Sequence, residues 1–371
     1  MGLVTTTVLV GSLAGGLPTD AATIILDLGP DHPSRTGLLE LELTTTGDTV
    51  SSAHIKPGAM HRGVEKLFEV RDYRQILMLA DRHDWQAPFF GELAAAQAFE
   101  GLLRLTPPPR AAALRVLLAE HTRILSHLGF LGWITRDDPA LTTRIRTARE
   151  ALRGQMTRLT GNRIHPMAVR LGGMAVDPDP GWLHTQATLM ESLIDLARAL
   201  AELPLPGAGL ATVDDALIDT FGLSGPMARA AGVALDARTH TYPPHDAPLS
   251  PAGTGAGDAQ ARFALLIAEC HASALFVQAQ CAKLPEGPVA VRLPKIIKLP
   301  EAESYDFVEG PLGRTGFHVV SRGDKTPWRM KLRSPSFHHV AALEVLLVGA
   351  QVCDVETILA SVGYVVGDVD K

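Results

Sequence analysis

Helical periodicity through the middle of the chain limits its fold more than any other feature. Apolar side chains recur every three or four residues over residues 89–105, 110–131 and 258–284. Each segment is too long for an ordinary strand, and each presents an apolar face that must pack against another element. Amphipathic segments with the same period occupy residues 142–159 and 182–203. The sequence therefore predicts a central bundle of long helices.

The flanking parts of the chain alternate apolar with polar residues instead. Segments 23–28 and 38–43 are predicted strands on either side of a proline-rich loop, and residues 305–332 are a predicted β-hairpin before a helix at 341–361. Such an order of elements is typical of an α+β fold. The predicted fold class is thus α+β and mostly helical, with a central helix bundle and small peripheral β-sheets.

The size of the chain allows either one large or two ordinary domains. It has 371 residues, of which 46% are hydrophobic and 20% charged, so it can bury a substantial core. We expect an N-terminal β-rich region, 1–60, and a helical domain, 61–371, that carries the C-terminal hairpin and helix. The two should form a single integrated unit.

Charge and cysteine content argue against several classes of function. The formal net charge is -6 and no run of lysine and arginine occurs, so nucleic acid is not an expected partner. Three cysteines without a C-x-x-C pair indicate no structural zinc site and no iron–sulfur cluster held by this chain. A signal peptide and a bilayer-spanning apolar run are not expected either. Other subunits would therefore have to hold the chain at a membrane.

Short polar segments between the periodic ones are candidates for function. Residues 32–36 and 163–170 lie in loops restrained by proline or glycine, and the segment from His61 to Trp85 has a polar cluster at each end of a predicted helix. The helix predicted at 142–159 is rich in arginine, for which a solvated face or a contact with another subunit is the simpler interpretation. Ordinary turns and surface ion pairs are the alternative for the loops, and the sequence does not show whether they converge.

These segments resemble the motifs of a known family. GPDHPSRTG resembles GPQHPxxHG, and MHRGVEKLFEVRDYRQILMLADRHDW resembles LHRGxEKLxExxxYxQxLxxxDRLDY. RIHPMAVRLGG is similar to RxHxxxxRPGG, LSGPMARAAGVALDAR to SGPxLRASGxxWDLR, GTGAGDAQAR to GxxGDxYDR, and VVGDVDK to VFGEVDR. The family with these motifs in this order is the D-type subunit of NADH:quinone oxidoreductase, complex I, a relative of the nickel–iron hydrogenase large subunit.

The resemblance implies a hydrogenase-large-subunit-like fold and a role in an NADH–quinone oxidoreductase, which is a translocase. It places the chain peripherally on the cytoplasmic side of the cell membrane, held by an iron–sulfur cluster subunit, a C-like subunit and an H-like membrane subunit. The chain would bind no cofactor itself, because the quinone would bind at the subunit interface and the iron–sulfur cluster would belong to the neighbour. By motif position, the quinone-pocket candidates are His32, Thr36, Asp84, Trp85 and Asp137, and the cluster-proximal candidates are His61, Arg62, His165 and Arg170.

Departures from the family's pattern bear on the chemistry. Hydrogenases hold nickel and iron with four cysteines, and none stands at the matching positions, which are Asp84, Ala87 and the vicinity of Val365 and Asp368. No metal site is expected.

In the family, a histidine and a tyrosine hydrogen-bond the quinone carbonyls, whereas this chain has Thr36 and Trp85, which do not titrate near pH 7. The open alternatives are a non-catalytic structural paralogue and a subunit that serves a different electron acceptor.

Overall fold

The computed structural model describes residues 4–11, 23–26, 28, 32–34, 38–241 and 253–371. A four-stranded sheet comes first, formed by β1 (Val4–Gly11), β2 (Thr23–Leu26), β3 (Leu38–Thr46) and β4 (Thr49–Lys56) in the order β2-β1-β3-β4. The β1–β2 pair is parallel, and the other pairs are antiparallel. The predicted strands are confirmed as β2 and β3. The strand between them, β1, was not predicted.

The next part of the chain is helical. It contains α1 (Val64–Glu69), α2 (Tyr73–Ala80), α3 (Pro88–Leu103), α4 (Pro109–Ile134) and α5 (Pro139–Thr160), then the short strands β5 (Val169–Arg170) and β6 (Gly173–Met174), then α6 (Pro180–Ala201). The four long helices predicted here are confirmed. The single helix predicted between His61 and Trp85 is wrong, because Asp72 caps the start of α2 and accepts hydrogen bonds from the backbone N–H groups of Arg74 and Gln75.

The stretch after α6 contains α7 (Asp215–Phe221), α8 (Pro226–Ala230) and α9 (Arg238–Thr241), followed by the long helix α10 (Ala259–Cys281). A three-stranded antiparallel sheet follows, with β7 (Glu301–Glu309), β8 (Arg314–Arg322) and β9 (Arg329–Arg333) in sequence order. The predicted hairpin is thus two strands of a larger sheet. The chain then forms α11 (Pro335–Leu346), a 3-10 turn (Val352–Asp354), α12 (Val355–Val362) and α13 (Val366–Val369). One continuous helix over 341–361 is wrong, because Gly349 adopts φ 85° between α11 and α12.

Helix α10 requires a correction to the expectation about apolar runs. By length and composition alone it could cross a membrane, with a mean hydropathy of 1.3 over its apolar window. It also carries the fully buried charged residues Arg262 and Glu269 and packs against α4 and α6. These contacts are those of the central helix of a folded bundle, in which buried charges have partners.

Two hydrophobic cores meet at Trp85. The larger core lies among α2, α3, α4, α6 and α10, and it includes Phe99, Phe130 and Phe263. The smaller core joins β3 and β4 to α11, α12 and α13. The partly buried Trp85 ring packs against both of them. Helix dominance with small sheets confirms the predicted α+β class, while the division of the chain at residue 60 stays a prediction.

Candidate functional site

The connection between α2 and α3 positions the polar segment that ends at Trp85. Asp84 is almost completely buried, and its Oδ1 accepts hydrogen bonds from the backbone N–H groups of Gln86 and Ala87, both at 3.0 Å. These bonds hold the chain in a tight turn before Pro88 begins α3. Trp85 and Gln86 therefore project from a fixed backbone rather than from a mobile loop.

A cavity of about 420 Å³ opens beside this turn. Its walls come from the turn, from the loop at residues 32–33, and from α4, α5 and the loop after α5. The lining residues are His32, Pro33, Trp85, Gln86, Gly129, Gly132, Thr142, Ile145, Arg146, Arg149, Arg153 and Ile164. Half of these residues are apolar or glycine and half are polar or charged, and a concave site with convergent polar groups is typical of small-molecule binding.

His32 forms one wall of the cavity and is held in a single neutral state. Its Nδ1 accepts a hydrogen bond from the Ser34 backbone N–H at 3.1 Å, so the proton resides on Nε2, which donates to the Glu356 carbonyl at 3.2 Å. Burial lowers the pKa of His32 to about 4, although the hydrogen bond to Glu356 opposes this shift. At neutral pH, His32 is an uncharged spacer whose ring nitrogens are both engaged.

The opposite wall is cationic. Three of the described lining residues are arginines of α5, and none of the described lining residues is an aspartate or glutamate. Burial and the neighbouring Arg153 lower the pKa of Arg149 to about 10, which leaves its guanidinium charged at neutral pH. The carboxylate of Glu150, on the same helix, is bound by Arg163 outside the cavity. The wall thus carries positive charge suited to an anionic or electron-rich group.

Close packing between α4 and the turn fixes Arg149. Its Nη2 donates to Gln86 Oε1 at 3.1 Å, while its buried Nε has no hydrogen-bond partner among the described residues. A Cβ atom at Gly129 would lie 3.0 Å from Gln86 Oε1 and 3.1 Å from Arg149 Nη2. Glycine at this position of α4 therefore lets both polar side chains approach the helix.

Trp85 is fixed from behind by α13. A Cβ atom at Gly367 would lie 2.2 Å from Trp85 Cζ3 and 2.6 Å from the His83 carbonyl oxygen, so only glycine fits without movement. The indole N–H of Trp85 has no acceptor within the described part of the chain. It can therefore donate a hydrogen bond to a carbonyl oxygen in the cavity, but it cannot act as an acid.

On the other side of Asp81–Trp85, basic side chains form a patch that we call the basic edge, made of Arg62, Arg82 and His165. The Arg62 guanidinium donates to the Arg82 carbonyl at 3.1 Å, and His165 Nδ1 lies 3.0 Å from the Asp81 carbonyl. Burial and the nearby Arg82, followed by Arg62, lower the pKa of His165. Arg62 and Arg82 therefore place positive charge at the surface, while His165 is held towards its neutral form.

Beneath the basic edge and behind Trp85 lies a group of buried acids around one histidine, which we call the acid cluster: Asp81, His83, Asp84, Glu92 and Asp368. His83 Nδ1 and Asp368 Oδ1 are 2.7 Å apart, whereas His83 Nε2 has no partner within the described residues. Burial raises the pKa of Asp81 to about 6 and that of Glu92 to about 8. Burial and the nearby Asp368 raise the pKa of Asp84 above its usual range. The cluster therefore holds protons near neutral pH.

Comparison with known proteins decides the family. The family model described as respiratory-chain NADH dehydrogenase, 49 Kd subunit, matches residues 140–298 and 292–371. The second D-type NADH-quinone oxidoreductase subunit of Salinispora arenicola is 42% identical over 98% of this chain and 97% of its own length. The chain belongs to this 49 kDa, D-type family. The first such subunit of Streptomyces coelicolor is 39% identical over 99% of this chain and 98% of its own length.

A solved structure extends the family relationship to the fold. A chain of the membrane-bound sulfane sulfur reductase, an archaeal respiratory membrane complex, superimposes with a TM-score of 0.84. It is 30% identical, and the alignment covers 92% of this chain and 97% of that one. The resemblance stated from the motifs is therefore confirmed at the level of family and fold.

The structure brings together only some of the residues predicted to form the quinone pocket. His32 and Trp85 both line the cavity, and Asp84 lies directly behind it. Thr36 lies outside the described residues. Asp137 is exposed beyond the end of α4, where its side chain is 90% accessible and 3.9 Å from Arg136. Its predicted place in a quinone pocket stays a prediction.

The residues predicted to lie near the neighbouring subunit's iron–sulfur cluster also fall into two groups. Arg62 and His165 form the basic edge with Arg82, which the motif comparison had not singled out. The exposed His61 contacts the Asp370 carbonyl through Nδ1 at 3.2 Å, and Arg170 donates to the Met167 and Val169 carbonyls. Arg170 thus supports the loop that carries His165.

Other residues of the site escaped sequence reasoning. The sequence predicted a solvated face for the arginines of α5. Arg144 and Arg158 are indeed exposed, whereas Arg146, Arg149 and Arg153 line the cavity. The sequence did contain a sign that His83 is unusual, because the family motif DRLDY has leucine where this chain has histidine. Its partner Asp368 is 285 positions away, and only the fold brings the two together.

Proposed function

We propose that this chain is a subunit of a complex I-like NADH–quinone oxidoreductase and forms one wall of its electron-acceptor site. The acceptor, a quinone headgroup, would occupy the cavity bounded by Trp85, His32 and the α5 arginines. The cavity with its guanidinium wall is the observation that carries this proposal. Relatives that are 39% and 42% identical over nearly the full chain are named as D-type subunits of that enzyme.

The cavity could stabilise the negative charge that a quinone acquires during reduction. A quinone gains negative charge on its oxygens as electrons arrive, and fixed guanidinium groups stabilise such charge strongly where water is largely excluded. Trp85 supplies a hydrogen-bond donor for one carbonyl. His32 remains neutral, because its lowered pKa and two hydrogen bonds prevent protonation near pH 7.

The electron donor in this proposal is an iron–sulfur cluster held by a neighbouring subunit that docks at the basic edge. Positive charge from Arg62 and Arg82 would favour the reduced state of such a cluster and raise its potential. A C-like subunit and an H-like membrane subunit would complete the assembly and hold the chain peripherally on the cytoplasmic side of the membrane. This chain would contribute no cofactor of its own.

A second candidate is an acceptor that is itself anionic, such as a sulfane sulfur compound. Arginines on the cavity wall favour it, and the structural neighbour is the membrane-bound sulfane sulfur reductase. A guanidinium binds an anion in its ground state, whereas a quinone becomes negative only during reduction. The two candidates therefore predict different kinetic effects of removing one arginine.

The test uses the whole complex in membrane vesicles, with Arg149→Met as the variant and Arg158→Met as the control. Arg158 is exposed on the same helix and donates only to Gln155 among the described residues. With quinone, Arg149→Met should lower kcat/KM about tenfold or more, because a hydrogen bond to a charged group is worth about 1.5–3 kcal/mol. With polysulfide as acceptor, a raised KM would favour the second candidate. Unchanged kinetics with both acceptors would place the acceptor site elsewhere, and absence of turnover with either in a complete assembly would favour a structural paralogue.

A further inference from the structure

The acceptor cavity lacks, among its described lining residues, a side chain that can supply a proton at neutral pH. His32 is neutral with both ring nitrogens engaged, the Trp85 indole is not an acid, and the arginines stay charged. Reduction of a quinone to a hydroquinone nevertheless takes up two protons with two electrons. At least one proton must therefore come from the surroundings of the cavity.

Asp84 lies directly behind the cavity wall. Its Oδ1 binds the backbone N–H of Gln86, and the Gln86 side chain in turn accepts from Arg149. Its other oxygen makes no hydrogen bond within the described residues, so it can carry a proton without breaking a contact. Asp84 also remains the most accessible acid of the cluster, at 7% against 0% for Asp81, Glu92 and Asp368.

Asp368 and His83 set the electrostatic environment of Asp84. Asp368 accepts from His83 at 2.7 Å and from the Ser336 backbone N–H at 3.2 Å, and these bonds offset burial and lower the pKa of Asp368. The resulting negative charge acts on Asp84 and disfavours a second carboxylate beside it. Asp84 is therefore the acid of this pair that holds the proton, and it is the residue directly before Trp85.

We propose that Asp84 holds a proton for the acceptor site, with Asp368 and His83 keeping it loaded, a role that none of the described lining residues can fill at neutral pH. This inference rests on the proposed function. In the step, the quinone receives two electrons, one at a time, from the neighbouring iron–sulfur cluster. The O–H bond on Asp84 breaks and, through an intervening water, an O–H bond forms on a quinone oxygen, because Asp84 lies behind the cavity wall and not on it. The second proton comes from solvent. The Asp84 carboxylate then takes a proton from solvent, which restores the starting state.

Charged groups from several elements face this pair. Asp81, which follows α2, interacts electrostatically with His83. Four other groups interact electrostatically with Asp368: Arg333 on β9, His338 and His339 on α11, and Lys371. Lys371 donates to the Leu332 carbonyl at 2.6 Å and is thereby fixed near Asp368. Because these groups are not changed in the test below, a shift of the pH profile reports on the altered acid.

The primary variant is Asp84→Asn in the assembled complex. Asparagine can still accept the Gln86 and Ala87 N–H bonds but carries no acidic proton. We expect quinone reduction to fall about tenfold or more, as for loss of a general acid, while NADH oxidation with ferricyanide stays unchanged. In the wild type the rate should fall as pH rises and Asp84 loses its proton. In the variant this alkaline limb should disappear.

Asp368→Asn gives an independent readout if Asp84→Asn does not assemble. Removal of the Asp368 charge lowers the pKa of Asp84, so the alkaline limb should move to lower pH without being abolished. A matched control is Asp306→Asn on β7, whose pKa is also raised by burial and whose Oδ1 accepts the Phe307 N–H at 2.8 Å. The control should keep the wild-type profile.

The outcomes separate the two proposals. If Arg149→Met impairs quinone reduction but the Asp84 and Asp368 variants keep the wild-type pH profile, the proton assignment is overturned and the acceptor site stands. If Arg149→Met has no effect with any acceptor, the proposed function fails first. A pH profile altered equally by Asp306→Asn would also overturn the inference, because it would show a general effect of removing a buried acid.

Discussion

Two clusters of buried charge in this molecule are built on opposite principles. One is an arginine–carboxylate network between α4, α8, α9, α10 and β7, formed by Glu120, Arg123, His127, Arg229, Arg238, Glu269 and Glu309. The other is the acid cluster behind Trp85. The first pairs nearly every carboxylate with a guanidinium, whereas the second packs four carboxyl groups around one imidazole.

The difference is visible in the pKa directions. In the network, burial alone would raise the pKa of Glu269, but Arg229 and the His127 hydrogen bond hold it well below its ordinary value. In the acid cluster, burial prevails over any counter-charge and raises the pKa of Asp81 and Glu92. In the network, the paired charges remain ionised and specify the packing of helices. In the acid cluster, burial raises the pKa of Asp81 even though Arg82 lies 2.8 Å away, because burial outweighs that ion pair.

The largest expected effect comes from breaking the network with Arg229→Met. Arg229 contacts Glu269 and Glu309 at 2.5 Å each, and its loss leaves buried carboxylates without their main partner. We expect a loss of about 3–5 kcal/mol in the free energy of unfolding, seen as a lower Tm or failed assembly of the complex. Arg198→Met, which breaks only the exposed pair with Asp195 on α6, is the control and should leave Tm unchanged. A stable Arg229→Met complex would refute the structural role.

A smaller effect is expected at the contact between Trp85 and α13. Gly367→Ala forces the methyl group into the indole ring and the His83 carbonyl, which should cost about 1–3 kcal/mol and displace Trp85. Thermal unfolding and tryptophan fluorescence measure the two consequences. Gly101→Ala is the matched control, because nothing lies within 4 Å of its Cβ position on α3, and it should be neutral or slightly stabilising. Equal Tm changes in both variants would contradict the proposed contact.

The acid cluster predicts a pH-dependent change for Glu92→Gln. The pKa of Glu92 is raised from 4.5 to about 8, so the folded state keeps a proton that the unfolded chain releases. The contribution of Glu92 to stability is therefore complete below about pH 4.5 and is lost as pH rises to about 8. The variant should match the wild type below about pH 4.5 and exceed it in Tm near pH 8. The exposed control Glu191→Gln should follow the wild type throughout, and a pH-independent difference for Glu92→Gln would contradict the raised pKa.

The smallest effect is expected for Asp137→Asn. Its exposed carboxylate belongs to neither buried cluster, so stability and the quinone KM should both stay at wild-type values. Steady-state quinone reduction by the complex measures this directly. A raised KM would instead show that Asp137 reaches the acceptor after assembly with partner subunits.

Apolar periodicity in the sequence was sufficient to identify the long helices. In α6 it reflects a local requirement, because this helix must bury one face over many turns. Helices α3, α4 and α10 are buried on nearly all sides, and there the length of the apolar segments itself indicates helices. The ordered motifs likewise identified the family, since they record local turns such as the one that Asp84 closes. Breaks such as Asp72 and Gly349 were missed, although each has a local physical cause.

Only the tertiary structure decided which polar residues share an environment. Arginines of α5 have the spacing of a solvated face, yet Gly129 of α4 and Gln86 turn Arg149 toward a cavity. Asp84 acquires its proton chemistry from burial and from the charge of Asp368, which α13 brings near by packing against Trp85 through Gly367. A pKa is set by desolvation and by neighbours in space. The sequence therefore determined the helices and the family, and the fold determined where charge is paired and where protons are held.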